Sequence, residues 1–177
     1  MISAYRTPIS TALPFDLETL KLFLRVDHDD ENDLITRIGQ TAAAELEHFA
    51  QIALLTQTVT AHTGGPAEAL RLPIGPAVLT EDITVTANGE AVTGFTVYGG
   101  HRPFLVFDAP QLEAVRIKIE YTAGFGATAA AIPADLAQAM ADQAALHYDA
   151  RSPTTGKALT TSPHMARIGA RYRGVRV

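Results

Sequence analysis

The sequence predicts an α+β fold: an N-terminal helix pair and a C-terminal helix packed together, an antiparallel β-module inserted between them, and an extended basic C-terminal tail. Three observations carry this prediction. Apolar residues recur at helical spacing before residue 50 and again after residue 132. From about 57 to 122 the period changes to alternation, punctuated by Gly, Pro and Asn-Gly. After Asp149 acidic residues stop while arginines continue.

Asp16 opens the first element. Its carboxylate suits an N-cap, and Leu17, Leu20 and Leu24 follow at helical spacing with Phe23 beside them, which predicts a helix over about 17–25. Val26–Asp30 interrupts it. Asp30, with Asp33 three residues on, approximates a capping box and starts a second helix over about 30–50. Its apolar face reads Leu34, Ile35, Ile38, Ala42, Leu46 and Phe49.

The β-module follows. Thr58–Thr60 and Leu70–Leu72 read as short strands around a loop with Gly64, Gly65 and Pro66, and Pro73 and Pro76 punctuate the approach to Val78. Ile83–Thr86 alternates cleanly into Asn88-Gly89, a hairpin turn because both residues tolerate positive φ. Phe95–Tyr98, Phe104–Phe107 and Val115–Tyr121 supply three more strands. Gly124 and Gly126 then end the sheet. Pro133 begins a helix at little cost, since the first helical N–H has no partner in any case, and Leu136, Met140, Ala144 and His147 mark one face of a helix over about 133–150.

At 177 residues and 47% hydrophobic content the chain can build one ordinary core. The simplest division is one domain, 1–150, followed by a tail, 151–177. No run approaches the roughly 18 apolar residues that a membrane-spanning helix needs, and the N-terminus lacks the charged-then-apolar order of a secretion signal. The expectation is a protein kept inside a cell or a particle assembled there, without a membrane partner. The chain has no cysteine, which rules out disulfides and thiolate chemistry and leaves only His and carboxylates for any zinc site.

Charge divides the chain sharply. Residues 1–150 carry 8 Lys and Arg against 19 Asp and Glu, a net −11, whereas 151–177 carry +6 from Arg151, Lys157, Arg167, Arg171, Arg173 and Arg176. An acidic body with a basic arm suggests an arm that holds a partner.

Four stretches in order give a more specific reading. DLETLKLFLRVDHDDENDLI (16–35), LRLPIGP (70–76), YTAGFG (121–126) and IPADLAQAM (132–140), closing at Tyr148 and Arg151, together resemble the head-tail connector, or adaptor, family of tailed phages, also found in prophages and gene transfer agents. The resemblance covers most of residues 16–151. It implies a structural virion protein with neither catalytic residues nor cofactor. Such proteins form a ring, commonly of twelve copies, beneath the portal and join it to the next neck, stopper or tail protein around a DNA channel. It also implies a virion neck location after assembly in the bacterial cytoplasm.

The tail fits that role. Pro153, Gly156, Pro163, Gly169 and Gly174 are too many breakers for one long helix, so the free segment should be extended or only locally helical. Met165, Ile168, Tyr172, Val175 and Val177 alternate with Arg167, Arg171, Arg173 and Arg176. Apolar anchors among guanidinium groups suit a groove on the portal or on a neighbouring subunit, where arginine makes forked bonds to carboxylates. Asp27, Asp29, Asp30, Glu31 and Asp33 are candidates for an acidic channel wall that repels DNA phosphates; singly, each acid is better explained by the dipole of the helix that follows.

Other motifs fail on their details. The acids at 27–33 alternate as in a calcium loop, but Asn32 replaces the required glycine and Ile38 the bidentate glutamate. Gly124-Phe125-Gly126 has Ala129 where a dinucleotide fingerprint needs its third glycine, so a chain turn is the better account. The six histidines lack the i, i+4 spacing of a metal helix, and the serines near the chain ends are poorly placed for an oxyanion hole. The alternative functions are another neck or tail-completion component, or a nucleic-acid-binding module using the basic arm. The second would show affinity falling steeply with salt, and the acidic body argues against it.

Overall fold

In the computed structural model, which describes residues 2–80, 82–151 and 160–173, all pairing between strands is antiparallel. Two compact units arise: Met1–Thr11 with Gln51–Phe125, and Ala12–Ala50 with Gly126–Val177.

The first unit holds eight strands: β1 (Ile2–Pro8), β2 (Gln57–Gly64), β3 (Ala67–Arg71), β4 (Thr84–Ala87), β5 (Glu90–Val92), β6 (Phe95–Tyr98), β7 (Phe104–Gln111) and β8 (Arg116–Ala123). They form a five-stranded sheet in the order β1-β2-β8-β4-β5 and a three-stranded sheet in the order β3-β7-β6. β8 shows why alternation was the right period, because Ile117, Ile119, Tyr121 and Ala123 are buried while Arg116, Lys118 and Glu120 lie between them toward solvent. Val59, Ala61, Val85, Leu105 and Phe107 complete the same core. β1 was not expected. It is an edge strand with little buried side-chain surface, so its residues carry no alternating apolar signal.

The Asn88-Gly89 turn joins β4 to β5, with φ of 53° and 93° as a two-residue hairpin requires. Asn88 does more than turn the chain. Its Oδ1 accepts hydrogen bonds from the backbone N–H groups of Val115 (2.9 Å) and Arg116 (3.1 Å), tying the hairpin to the start of β8.

Tyr121 anchors the approach to Pro76. Its buried hydroxyl donates to the Ile74 carbonyl at 2.9 Å and accepts from the Ile74 N–H at 3.0 Å, and burial pushes its pKa well above the usual phenol value. Tyr121→Phe keeps the ring but strands both backbone groups, so it should cost about 1–3 kcal/mol, the penalty for buried polar groups without partners. Urea unfolding of the two proteins checks this, and equal midpoints would refute it.

Gly124 closes the sheet at φ 139°, where its N–H donates to the Pro76 carbonyl at 3.0 Å. A Cβ there would lie 2.6 Å from the Leu55 carbonyl carbon and oxygen.

The second unit contains four α-helices among the described residues: α1 (Leu17–Leu24), α2 (Asn32–Ala50), α3 (Ala134–Asp149) and α4 (Pro163–Tyr172). Asp16 caps α1 as expected, its Oδ1 accepting from Thr19 N at 2.8 Å. Ile35, Ala42 and Leu46 of α2 and Leu136, Met140 and Ala144 of α3 are buried, and the two helices pack together. Gly39 lets α2 approach Phe15, since a Cβ would fall 2.5 Å from the Phe15 ring.

The extended tail is corrected over its described part. Pro163–Tyr172 is an α-helix that packs on α2 and α3. Pro163 sits in its first turn, and Ser162 caps it by accepting from Met165 N at 2.8 Å. Met165, Ile168 and Tyr172 recur at i, i+3 and i+7, so the apolar residues read as anchors among arginines are also one helical face.

Candidate docking site on the C-terminal helix

The docking set divides in two. Met165, Ile168 and Tyr172 are 1%, 3% and 8% exposed within their own helical unit, whereas Arg167, Arg171 and Arg173 are exposed. Val175, Arg176 and Val177 lie outside the described residues. Met165, Ile168 and Tyr172 therefore serve the fold of their own chain, because an amphipathic helix with two packed neighbours buries its apolar face locally.

A polar cluster holds α4 in place. The buried Gln143 side chain donates from Nε2 to Glu45 Oε2 at 2.7 Å and to the Thr160 carbonyl at 3.3 Å, and its Oε1 accepts from Ser162 N at 2.7 Å. His147 Nε2 lies 2.9 Å from the same Glu45 oxygen. His164 of α4 pairs with Asp142 of α3, and the Tyr172 hydroxyl donates to Asp135 Oδ1 at 2.9 Å. Burial, reinforced by that carboxylate, pushes the Tyr172 phenol up to about 12. Gly169 permits the close approach to α2, since a Cβ would lie 2.7 Å from the Phe49 ring. Arg173 has its guanidinium 5.5 Å from the centre of that ring.

Arg167 and Arg171 lie on one face of α4, and Arg173 stands at its C-cap. Arg167 and Arg171 stand at i and i+4, a spacing at which like charges repel by a few tenths of a kcal/mol. Arg171, in the last turn, is favoured by the helix dipole, but Arg167 lies a full turn earlier. That separation leaves Arg167 to be balanced by something else.

The five acids at 27–33 have different surroundings. Asp29 accepts from the buried Lys21 Nζ at 2.5 Å, which holds its carboxyl below the usual range and raises the Lys21 ammonium. Glu31 accepts from the Tyr148 hydroxyl and lies 3.6 Å from Arg151, whose guanidinium stacks over the Tyr148 ring. Asp27, Asp30 and Asp33 are exposed. No group of three or more His, Asp or Glu among the described residues is placed to hold a metal ion, and no described helix is long and apolar enough to cross a membrane. A hollow of about 280 Å³ in the second unit lies beside Glu45, His48, Gln143 and His147, three of which belong to the polar cluster beside α4.

Among the described residues the chain is mixed α+β, with two antiparallel sheets and four α-helices, and its polar clusters join helices to one another. Residues 15–88 match the family described as phage gp6-like head-tail connector protein. Over that stretch the chain is similar to this family, whose members are structural and not enzymatic.

Solved structures agree along the full length. A chain of the neck of an empty gene transfer agent particle, computed with C6 symmetry, is similar with a TM-score of 0.76 and 25% identity over 99% of this chain and 97% of that one. A chain of the neck of a native gene transfer agent particle, computed with C12 symmetry, is similar with a TM-score of 0.71 and 26% identity over 100% and 97%. A chain from the virion of a native gene transfer agent particle shares the fold at 23% identity, with a TM-score of 0.74 over 98% and 96%. Among curated proteins, none matches.

Proposed function

We propose that this connector forms a ring, of twelve copies, in the neck of a gene transfer agent or phage-like particle, between the portal and the next neck or tail protein. The observation that carries the reading is the agreement of fold and sequence, end to end, with chains from rotationally symmetric gene transfer agent necks. In this role double-stranded DNA passes through the ring without specific binding. The net −11 of residues 1–150 favours that, because an acidic surface repels phosphate.

Docking in this proposal falls to the exposed arginines of α4 and to the chain end that follows, with Val175, Arg176 and Val177 as its terminal anchors. The partner is the portal or an adjacent copy. Replacing Arg167, Arg171 and Arg173 together with Glu should leave the melting temperature within a few degrees, since exposed positions away from packing seldom shift stability by more than about 0.5 kcal/mol each. The same variant should be depleted from purified particles by about tenfold or more, because each lost charge pair at an interface costs on that order. Immunoblotting of gradient-purified particles measures the depletion, and undiminished incorporation would refute the docking role. A nucleic-acid-binding module would instead lose salt-sensitive DNA affinity in this variant with its incorporation unaltered.

A further inference from the structure

The inference deepens the ring assembly proposed above and rests on it; its subject is how one copy meets the next. Helix α3 serves as a ruler for the second unit. At its C-terminal end Tyr148 and Arg151 engage Glu31, so the turn carrying Asp27, Asp30 and Asp33 belongs to that end. At its N-terminal end Asp135 accepts the Tyr172 hydroxyl, so Arg171 and Arg173 belong to the other. The 16 residues of α3, at 1.5 Å each, put about 24 Å between the two ends.

Asp27, Asp30 and Asp33 therefore stand toward one end of α3 and Arg171 and Arg173 toward the other, with Arg167 one helical turn, about 6 Å, further in. Three screening lengths at physiological salt, each about 8 Å, fit along α3, so a chain gains almost nothing from attraction between its own two ends. Other charges nearby only partly offset the two sets. Lys21 is engaged by Asp29 and Arg151 by Glu31, leaving Arg25 and Arg37, the latter one helical turn after Asp33, as exposed cations beside three exposed acids. At the far end Asp135 is held by Tyr172, and Glu45, beside the C-terminal half of α3, is held by Gln143 and His147.

A second copy placed head to tail satisfies both sets at once. The two surfaces differ, so the contact is heterologous, and a heterologous contact repeats and closes into a ring when its rotation allows. A two-fold contact would set acids against acids and arginines against arginines. Arginine is the suitable cation, since its fork meets a carboxylate with two parallel bonds.

We propose that Arg167, Arg171 and Arg173 of one copy engage Asp27, Asp30 and Asp33 of the next, making the acidic turn an intersubunit socket. A reciprocal charge exchange in the full-length chain tests this. One variant carries Asp30→Lys and Asp33→Lys, the other Arg167→Glu and Arg171→Glu, each expressed as the sole connector in cells that make the particle. Each alone presents like charges at every contact, and its yield of particles with complete necks should fall by at least about tenfold. Co-expression should restore the yield to within about twofold of the parent, with the two variants in equal amounts by mass spectrometry, because they alternate around the ring. A chain bearing all four substitutions should also assemble, which separates lost contacts from failed folding.

Either variant assembling alone at the parent yield overturns the inference. So does failure of both the mixture and the fourfold variant, since the charges would then face the portal, DNA or solvent. Absence of the unaltered chain from particle necks would instead refute the ring reading on which the inference rests.

Discussion

Gly124→Ala is expected to be strongly destabilising to the first unit. Its φ of 139° is reached readily only by glycine, and the new Cβ would stand 2.6 Å from the carbonyl carbon and oxygen of Leu55 and 2.7 Å from Thr56 Cα. All three neighbours are backbone atoms, so no side chain can swing aside. Strain of about 1–3 kcal/mol from the dihedral and a similar penalty from overpacking together make about 3–5 kcal/mol. Gly89→Ala is the control, because Gly89 also has positive φ but nothing within 4 Å of its Cβ position. It should lose only the dihedral part. Urea midpoints for the two variants separate strain from collision, and equal losses would show that the close approach at Leu55 is unimportant.

Met165→Ala is the second large effect. Met165 is 1% exposed where α4 meets α2 and α3, and truncating a buried side chain of this size costs about 2–5 kcal/mol. Arg167→Ala, two residues on and exposed, should change stability by no more than about 0.5 kcal/mol. Thermal unfolding and limited proteolysis near residue 160 measure both. Matched stabilities would show that α4 is not held by its apolar face. The pair also decides how docking is to be tested. Deleting Met165–Val177 removes part of the helical unit with the arginines, so a lost neck could come from a damaged fold. Substitution of the exposed arginines removes charge alone.

Local chemistry made much of this protein legible in advance. Asp16 caps α1 because a carboxylate satisfies N–H groups at any exposed helix start, and Asn88-Gly89 turns β4 into β5 because those residues accept positive φ anywhere. β8 could be read from Ile117, Ile119 and Tyr121, and α2 from Ile35, Ala42 and Leu46, since one buried face imposes its period on the chain. Gly124-Phe125-Gly126 could be read as a turn and not a dinucleotide loop, although the backbone crowding at Leu55 that requires Gly124 could not.

The tail was legible by half. Ser162, Pro163 and the spacing of Met165, Ile168 and Tyr172 together signal a helix, but the neighbouring breakers and the alternation with arginine spoke for an extended arm. A 10-residue helix is marginal alone, so its formation rests on partners that local sequence does not name. Those partners are Gln143, Asp142, Phe49 and Asp135, brought to α4 from other parts of the chain. β1 escaped for a related reason, because its hydrogen bonds to β2 are backbone bonds that leave no mark on side-chain pattern.

By itself, then, the sequence determined the caps, the hairpin turn, the two periodicities and the division of charge, since each depends on neighbours a few residues away. Only the tertiary structure decided that Met165, Ile168 and Tyr172 face inward and Arg167, Arg171 and Arg173 outward, and that Glu31 is engaged while Asp30 is exposed. Which face of a segment is buried depends on what long-range packing sets against it, and that is a property of the folded chain.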